Sequence, residues 1–478
     1  MNIKVGGMNS ESFVVTQGVH QGGPLSGLLF EIYIDELIQI LKNSPNGMHI
    51  YDHCISCVAY ADDIALCSNT ENGLQELINI AVKYAKKWKF KFNPKKCEVM
   101  YFGKSSREPQ IFIDNTMLKV VEESVYLGTH VTKNKKLENQ YVEKRIREAY
   151  KKAWQIKSVG SRRVQINPIT FSRGFSAVVI PSLLYGYNVI RLSKRNLKSI
   201  DQMQINVAKN IQGLSSNTPA VVALAGMKWK RLSTHIVKES VNFMFKTLQI
   251  PNMCIYKELL IYGLLEAKHK GYTNLGSNPV SYIIEQCRKC NVLREVEEII
   301  TGFKIDFQNK SFYKNISASK LSTKESSEWV ATTLLYRSLV TFRECHITID
   351  TGYKWWKIAK LNNTVLYKVK TMFRLLVTNN DKCGYKCKCN SQMTVEHIVF
   401  DCNVVNDVRK IYLDRVIDVM PKGMKENFIC MSSKEKVKFI YSCLNCNVIF
   451  EWLDIYINII DMVYMISKAW YSKLNIEI

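Results

Sequence analysis

Acidic residues are what this sequence is short of. Its 42 aspartates and glutamates face 66 lysines and arginines, a formal net charge of +24. A surplus of that size favours a polyanionic partner, either nucleic acid or an acidic membrane face. The chain also lacks an uninterrupted apolar run: Pro181 breaks the stretch Gly174–Leu192, and Asp454 with Asp461 break Leu453–Ser467. Neither stretch reads as a membrane span, which leaves nucleic acid as the stronger option. No internal repeat, serine–histidine–aspartate arrangement or phosphate-cradling glycine loop stands out. No charged-then-apolar leader with a small-residue cleavage site follows Met1. The 15 cysteines are odd in number and irregularly spaced, which suits reduced thiols in the nucleus or cytoplasm better than a secreted disulfide framework. At 47% hydrophobic and 23% charged residues over 478 positions, the composition is not that of a disordered, collagen-like or coiled-coil chain.

What is present begins with a Gln-Gly-Gly-Pro turn at Gln21, Gly22, Gly23 and Pro24. Leu28, Leu29, Ile32, Tyr33, Leu37, Ile40 and Leu41 follow at helical spacing, with Pro24 suited to the opening. The run Ile55–Cys67 is apolar except at Asp62 and Asp63, which predicts two short buried strands joined by a tight acidic turn. Leu74, Leu77, Ala81, Tyr84, Ala85 and Trp88 predict an amphipathic helix. Val99–Phe102, Ile111–Ile113 and Val125–Leu127 read as short strands. Residues 14–130 are therefore α+β and resemble about two-thirds of a domain without its beginning.

Two adjacent carboxylates in an apolar run are costly to desolvate. Either the turn exposes them to water, or they hold magnesium through hard oxygen ligands for a phosphoryl displacement. Their neighbours bear on the choice. Gly18-Val19-His20-Gln21-Gly22-Gly23-Pro24-Leu25-Ser26, Tyr60-Ala61-Asp62-Asp63, Asn93-Pro94-Lys95-Lys96-Cys97 and Tyr126-Leu127-Gly128 occur in this order. Together they resemble consecutive motifs of the reverse transcriptases of non-LTR (LINE-like) retrotransposons, over roughly residues 13–215.

That resemblance implies a right-hand palm built on an antiparallel sheet. It implies catalytic, magnesium-binding roles for Asp62 and Asp63 and places Tyr60 beside the primer terminus. Gln21, Gly22, Gly23 and Pro24 would contact template and incoming nucleotide, where two glycines let backbone approach closely. Lys96 would lie near the nucleotide's phosphates, with Lys95 as the alternative register, and Tyr126, Leu127 and Gly128 would form the primer grip. On the bland side, Gly-Gly-Pro is a helix-entry turn and the lysine pair a solvated face. The implied partners are an RNA template, a DNA primer or target and deoxynucleoside triphosphates. The family also places a third aspartate ahead of the Gln-Gly-Gly-Pro turn, where Glu11 is the one acid here. Two carboxylates from one hairpin are a poor cage for two magnesium ions, so the expectation is a chain inactive alone.

From Leu137, Val142, Ile146, Ala149, Ala153 and Ile156 form an apolar stripe, with Lys144, Arg145, Arg147, Lys151 and Lys152 on the other face. This stretch resembles the helical thumb of these polymerases, and its basic face suits phosphate contacts; the alternative is an ordinary solvated helix. Near the C-terminus, Cys387, Cys389, His397 and Cys402 offer three thiolates and one imidazole, a donor set suited to a closed zinc site. Cys383 is either spare or replaces Cys387. Thr394-Val395-Glu396-His397-Ile398 strengthens the zinc reading, since it resembles the knuckle-like pattern of many LINE-like proteins. Cys287/Cys290 and Cys443/Cys446 read as core thiols, and Lys228-Trp229-Lys230 and Lys354-Trp355-Trp356-Lys357 as packing tryptophans.

The expected organisation is a partial palm over 1–130, a helical thumb over 131–215, and a helical region with a linker at Ile305–Ser327 over 216–328. A mainly helical C-terminal region over 329–478 follows, carrying the cysteine/histidine element at 383–402.

Overall fold

The computed structural model describes residues 2–14, 18–20, 22–103, 107–159, 166–250, 254–272, 279–301, 310–336, 339–345, 355–358, 363–378, 387–445 and 453–473. The chain divides into two compact units: Met1–Glu138 with Pro251–Tyr262, and Asn139–Ile250 with Gly263–Ile478.

All the described strands lie in the first unit, and none of its sheets is wider than two strands. Five ladders are antiparallel, while Glu98–Val99 pairs parallel with Lys119–Val120. The single antiparallel sheet expected over this region is thus a set of separate hairpins. Helices give the unit its core. Thr70 caps helix Glu71–Lys87, its hydroxyl accepting from the Gly73 N–H at 3.0 Å, and that helix lays Leu77, Ala81 and Tyr84 against Ile34, Leu37 and Leu41 of helix Ser26–Lys42. The Tyr84 hydroxyl donates to the Tyr33 carbonyl at 2.8 Å and the Tyr33 hydroxyl to the Trp88 carbonyl at 2.6 Å, pinning the two helices.

Helix Ser26–Lys42 begins two residues after Pro24, with Leu25 as its cap. Only part of its apolar periodicity reaches that core. Leu25, Leu28, Leu29 and Ile32 are 52–66% exposed, because the partner helix and the Cys57-bearing hairpin cover just one side.

The second unit is helical, and much of it shares a large continuous apolar cluster. Val142, Ala149 and Ala153 of helix Lys135–Ser158 enter it, as do Ile200, Met203, Val207 and Ile211 of helix Lys194–Gln212. Trp356, Phe373, Tyr441 and Trp470 are among its largest fully buried side chains. Two of the buried indoles donate internally: Trp229 to Ser172 Oγ at 2.7 Å and Trp356 to the Gly226 carbonyl at 3.1 Å. Trp229 also stacks on Phe175 with centroids 4.4 Å apart, so both indoles pack as expected. Cys287 and Cys290 are buried core thiols; Cys446 lies outside the described residues.

The segment read as a linker is, from Lys310, a 25-residue helix reaching Leu334. Ser317, Leu321, Trp329 and Thr333 recur on one buried side of it, and Ser317 Oγ bonds Asn242 Oδ1 at 3.1 Å. Its polar composition masked a spacing of four and eight residues that suits a helix. Among the described residues no helix is long and apolar enough to cross a membrane.

Leu77 is fully buried between the two helices of the first unit. Leu77→Ala is expected to cost about 2–5 kcal/mol, read as a lower urea midpoint for that unit's transition.

Candidate functional site

The acidic pair sits where the sequence places it. Cys57–Tyr60 and Asp63–Leu66 form an antiparallel hairpin in which Tyr60 pairs with Asp63, leaving Ala61 and Asp62 as a two-residue turn. Ala61 takes a left-handed φ of 50°, as tight hairpin turns demand at the first position. An alanine bears that conformation at a cost of about 1–2 kcal/mol. Tyr60, Asp62 and Asp63 are exposed, and Cys57 at the base is buried. The strands are half-buried rather than fully buried, since neither has a second neighbour.

A second hairpin comes up to the first. Glu123–Tyr126 and Thr129–Thr132 pair through a turn at Leu127 and Gly128, whose φ values are 49° and 71°. The half-buried Tyr126 side chain crosses to the acidic hairpin, its hydroxyl donating to the Val58 carbonyl at 3.1 Å. Burial raises the Tyr126 pKa, and the charge of Asp63 adds to that rise. The structure therefore joins two of the predicted motifs through one phenol. Sequence reasoning assigned Tyr126 to the primer grip and missed this tie.

The glycine turn is organised locally. Gly22 has φ 82°. At Gly23 a β-carbon would meet Ser26 Oγ at 2.6 Å and the His20 carbonyl at 3.2 Å. Those atoms already bond one another at 2.5 Å, and the Gly23 N–H donates to His20 at 3.0 Å. Ser26 thus closes the turn against helix Ser26–Lys42, with Pro24 exposed between them. Gln21 lies outside the described residues. Lys95 and Lys96 are exposed on a single 3-10 turn, Pro94–Lys96, capped by Asn93. No hydrogen bond or ion pair among the described residues joins these two motifs to the acidic hairpin.

Two exposed carboxylates on adjacent residues do not make a two-ion magnesium centre, which needs oxygens converging from more than one direction. Among the described residues, no third acid, histidine or cysteine is close enough to share an ion with Asp62 and Asp63.

The thiol/imidazole group does converge. Cys387, Cys389, His397 and Cys402 place their ligand atoms all within 4.8 Å of one another. Cys387 Sγ lies 3.5 Å from Cys402 Sγ, and Cys389 Sγ lies 3.1 Å from His397 Nε2. A tetrahedral zinc would separate two sulfurs by roughly 3.8 Å and sulfur from nitrogen by roughly 3.6 Å, so the donor set fits that ion with a few tenths of an ångström of movement. Cys383 lies outside the described residues, and Cys387 is the one found in the cluster.

Local backbone builds this centre. Cys387 and Cys389 flank a tight turn in which the Cys387 N–H donates to Ser391 and the Asn390 N–H to Cys387, with Asn390 at φ 62°. Thr394 Oγ1 then accepts from the His397 N–H at 3.1 Å and starts a helical turn. His397–Asp401 is π-helical, closed by the Cys402 N–H on the His397 carbonyl at 2.6 Å. On an α-helix, residues five apart lie about 140° from each other around the axis. The wider π turn brings them nearly over one another, so Cys402 meets the imidazole.

Burial pushes the Cys402 thiol up to about 11, and its hydrogen bond with Cys387 adds to this. Cys389 sits below the usual thiol range: burial opposes that, but the Ser391 N–H and bonds from Cys387, Ser391 and Cys402 outweigh it. Burial holds His397 below its ordinary value, with Asp401 opposing and Arg409 adding. The imidazole is therefore in its neutral, metal-ligating form at neutral pH.

Similarity to known proteins bears on the class of this site. Residues 2–142 match the family described as Reverse transcriptase (RNA-dependent DNA polymerase), and that part of the chain is reverse-transcriptase sequence. Over 91 residues the chain is 36% identical to a retrovirus-related Pol polyprotein from a type-2 retrotransposable element of Drosophila melanogaster, covering 19% of this chain and 8% of that protein. It is 33% identical over 97 residues to one from a type-1 element of Popillia japonica, covering 20% and 16%, and a further alignment to a Popillia japonica type-1 element reaches 231 residues at 25% identity, covering 45% and 31%. These similarities are to reverse transcriptases of non-LTR retrotransposons, and the chain spans less than a third of the length of these relatives.

Removing the Tyr126 hydroxyl leaves the Val58 carbonyl without this donor. Tyr126→Phe is expected to destabilise the first unit by about 1 kcal/mol, checked by urea unfolding against wild type.

Proposed function

We propose that this chain contributes the acidic palm hairpin, the nucleic-acid-gripping thumb and a zinc knuckle to the RNA-directed DNA polymerase of a non-LTR retrotransposon. In the intact element the reaction would be target-primed cDNA synthesis: an RNA template copied from a nicked DNA primer with deoxynucleoside triphosphates, in the nucleus or after cytoplasmic assembly. The observation that carries this reading is the Tyr60–Asp63 hairpin turn within a reverse-transcriptase family match. Asp62 and Asp63 would be its catalytic carboxylates, Tyr60 and the Gln21–Pro24 turn its primer and nucleotide contacts, and Lys96 a phosphate contact.

The incomplete carboxylate set supports a second statement. Acting alone, the chain binds nucleic acid without polymerising, because nothing described completes the magnesium cage beside Asp62 and Asp63. No extension of an RNA-templated primer by the purified chain with magnesium is the expected result. Robust extension that Asp62→Ala abolishes would overturn it.

The grip is argued from helix Lys135–Ser158. Arg145 and Lys152, first read as phosphate contacts, turn inward: Arg145 donates to the Ser182 and Tyr185 carbonyls and lies over the Tyr187 ring, and Lys152 bonds Ser182 Oγ. Lys144, Arg147 and Lys151 remain exposed at i, i+3 and i+7, one stripe of the helix, and Trp154 continues it at 37% exposure. A stripe of three cations over about 10 Å, ending in an indole, suits a phosphate backbone and a stacked base. Substituting all three by alanine is expected to weaken binding to an RNA–DNA duplex whatever its sequence. It should also flatten the log affinity against log salt slope by about 2–3, as read by filter binding at several salt concentrations.

Zinc would be held by Cys387, Cys389, His397 and Cys402, where it would supply folding free energy rather than chemistry on the substrate. The expected stoichiometry is one zinc per chain, lost in Cys402→Ser, with a chelator lowering the thermal midpoint of wild type but not of that variant.

A further inference from the structure

Arg409, on helix Asn406–Asp418, is a guanidinium that is only 6% exposed. Its hydrogen bonds run to the metal centre's own backbone: Nε donates to the Val399 carbonyl at 2.9 Å and Nη2 to the Cys402 carbonyl, while Nη1 reaches Asn406 Oδ1 at 3.2 Å. Among the described residues, no carboxylate lies within ion-pair distance of it. Asp401 acts on it from further away and accepts instead from Ser433 Oγ at 2.5 Å. A buried cation without a counter-charge is strongly disfavoured.

The four ligands beside it define what that counter-charge is. Three thiolates and a neutral imidazole around one divalent ion sum to a single negative charge, seated in the same core.

We propose that Arg409 is the positioning residue and counter-charge of the knuckle. Its fork clamps the two carbonyls at the end of the π turn, fixing the segment that presents His397 and Cys402, and its charge lies beside the net negative charge that three thiolates and a bound divalent ion would carry. This couples metal binding to the stability of the second unit's core, and it rests on the reading of the knuckle as a zinc site. Groups that hydrogen-bond a ligand segment commonly govern metal affinity 10–100-fold.

The test uses the full chain, zinc as the probe, competition with a chromogenic chelator for affinity, and thermal unfolding with and without metal. Arg409→Gln removes the charge and the fork but keeps an amide donor. Arg409→Lys keeps a cation in the same space and serves also if Arg409→Gln does not accumulate as folded protein. Arg409→Gln is expected to bind zinc about 10–100-fold more weakly, with Arg409→Lys between it and wild type. The loss of thermal midpoint should be larger with the knuckle intact than in a Cys402→Ser background, a difference that a merely structural arginine would not produce. Unchanged zinc affinity in both variants, or equal midpoint losses in the two backgrounds, overturns the proposal while leaving the zinc reading in place. A wild-type chain that takes up no zinc overturns both.

Discussion

A β-strand with a neighbour on one side only leaves the backbone groups of its other edge to water or to whatever else can pair with them. Every strand described in the first unit is in that position, and the rest of that unit follows from it. Two-stranded ladders are marginal by themselves, so order has to come from elsewhere. It comes from the helix pair Ser26–Lys42 and Glu71–Lys87, from the tyrosine–carbonyl bonds between them, and from the phenol that ties one hairpin to another. The same constraint explains the exposed aliphatic side of the first helix: a broader sheet would offer apolar area to cover Leu28, Leu29 and Ile32, and two-stranded hairpins do not.

The second unit solves the opposite problem. Its helices bury a continuous core, and within it lie polar groups that must find partners. The Trp329 and Trp356 indoles reach carbonyls, Arg145 reaches the Ser182 and Tyr185 carbonyls, and three cysteines and a histidine face one another. The thiol/imidazole cluster is therefore an internal feature of the packing, with Cys387 and Cys402 among its buried residues.

Much of this was legible beforehand, for reasons that differ between elements. The acidic hairpin showed because an Asp-Asp pair interrupts an apolar run, and the helix over 71–87 because its apolar residues recur at helical spacing. The thiol/imidazole cluster showed because cysteine and histidine are rare enough for clustering to carry information. The helix over 310–334 stayed hidden, since serines and threonines on its buried side read as polar. The Tyr126 bond spans 68 positions, and nothing in linear order says which distant carbonyl a phenol will meet. The division of basic residues on helix Lys135–Ser158 was equally hidden: Arg145 and Lys152 share the composition of Lys144 and Arg147, and only the nearby Ser182 and Tyr185 separate them.

The π turn at His397–Asp401 makes the thiol/imidazole cluster sensitive to chain length. Its five-residue bond accommodates one residue more than an α-helical turn would. Deleting a single codon there would let the backbone relax into an ordinary helix while swinging the last thiol out of reach of the imidazole. In a lineage drifting without selection, a one-residue gap in this segment would therefore scatter the four donor atoms sooner than most replacements around it, even with all three cysteines and the histidine still written in the gene.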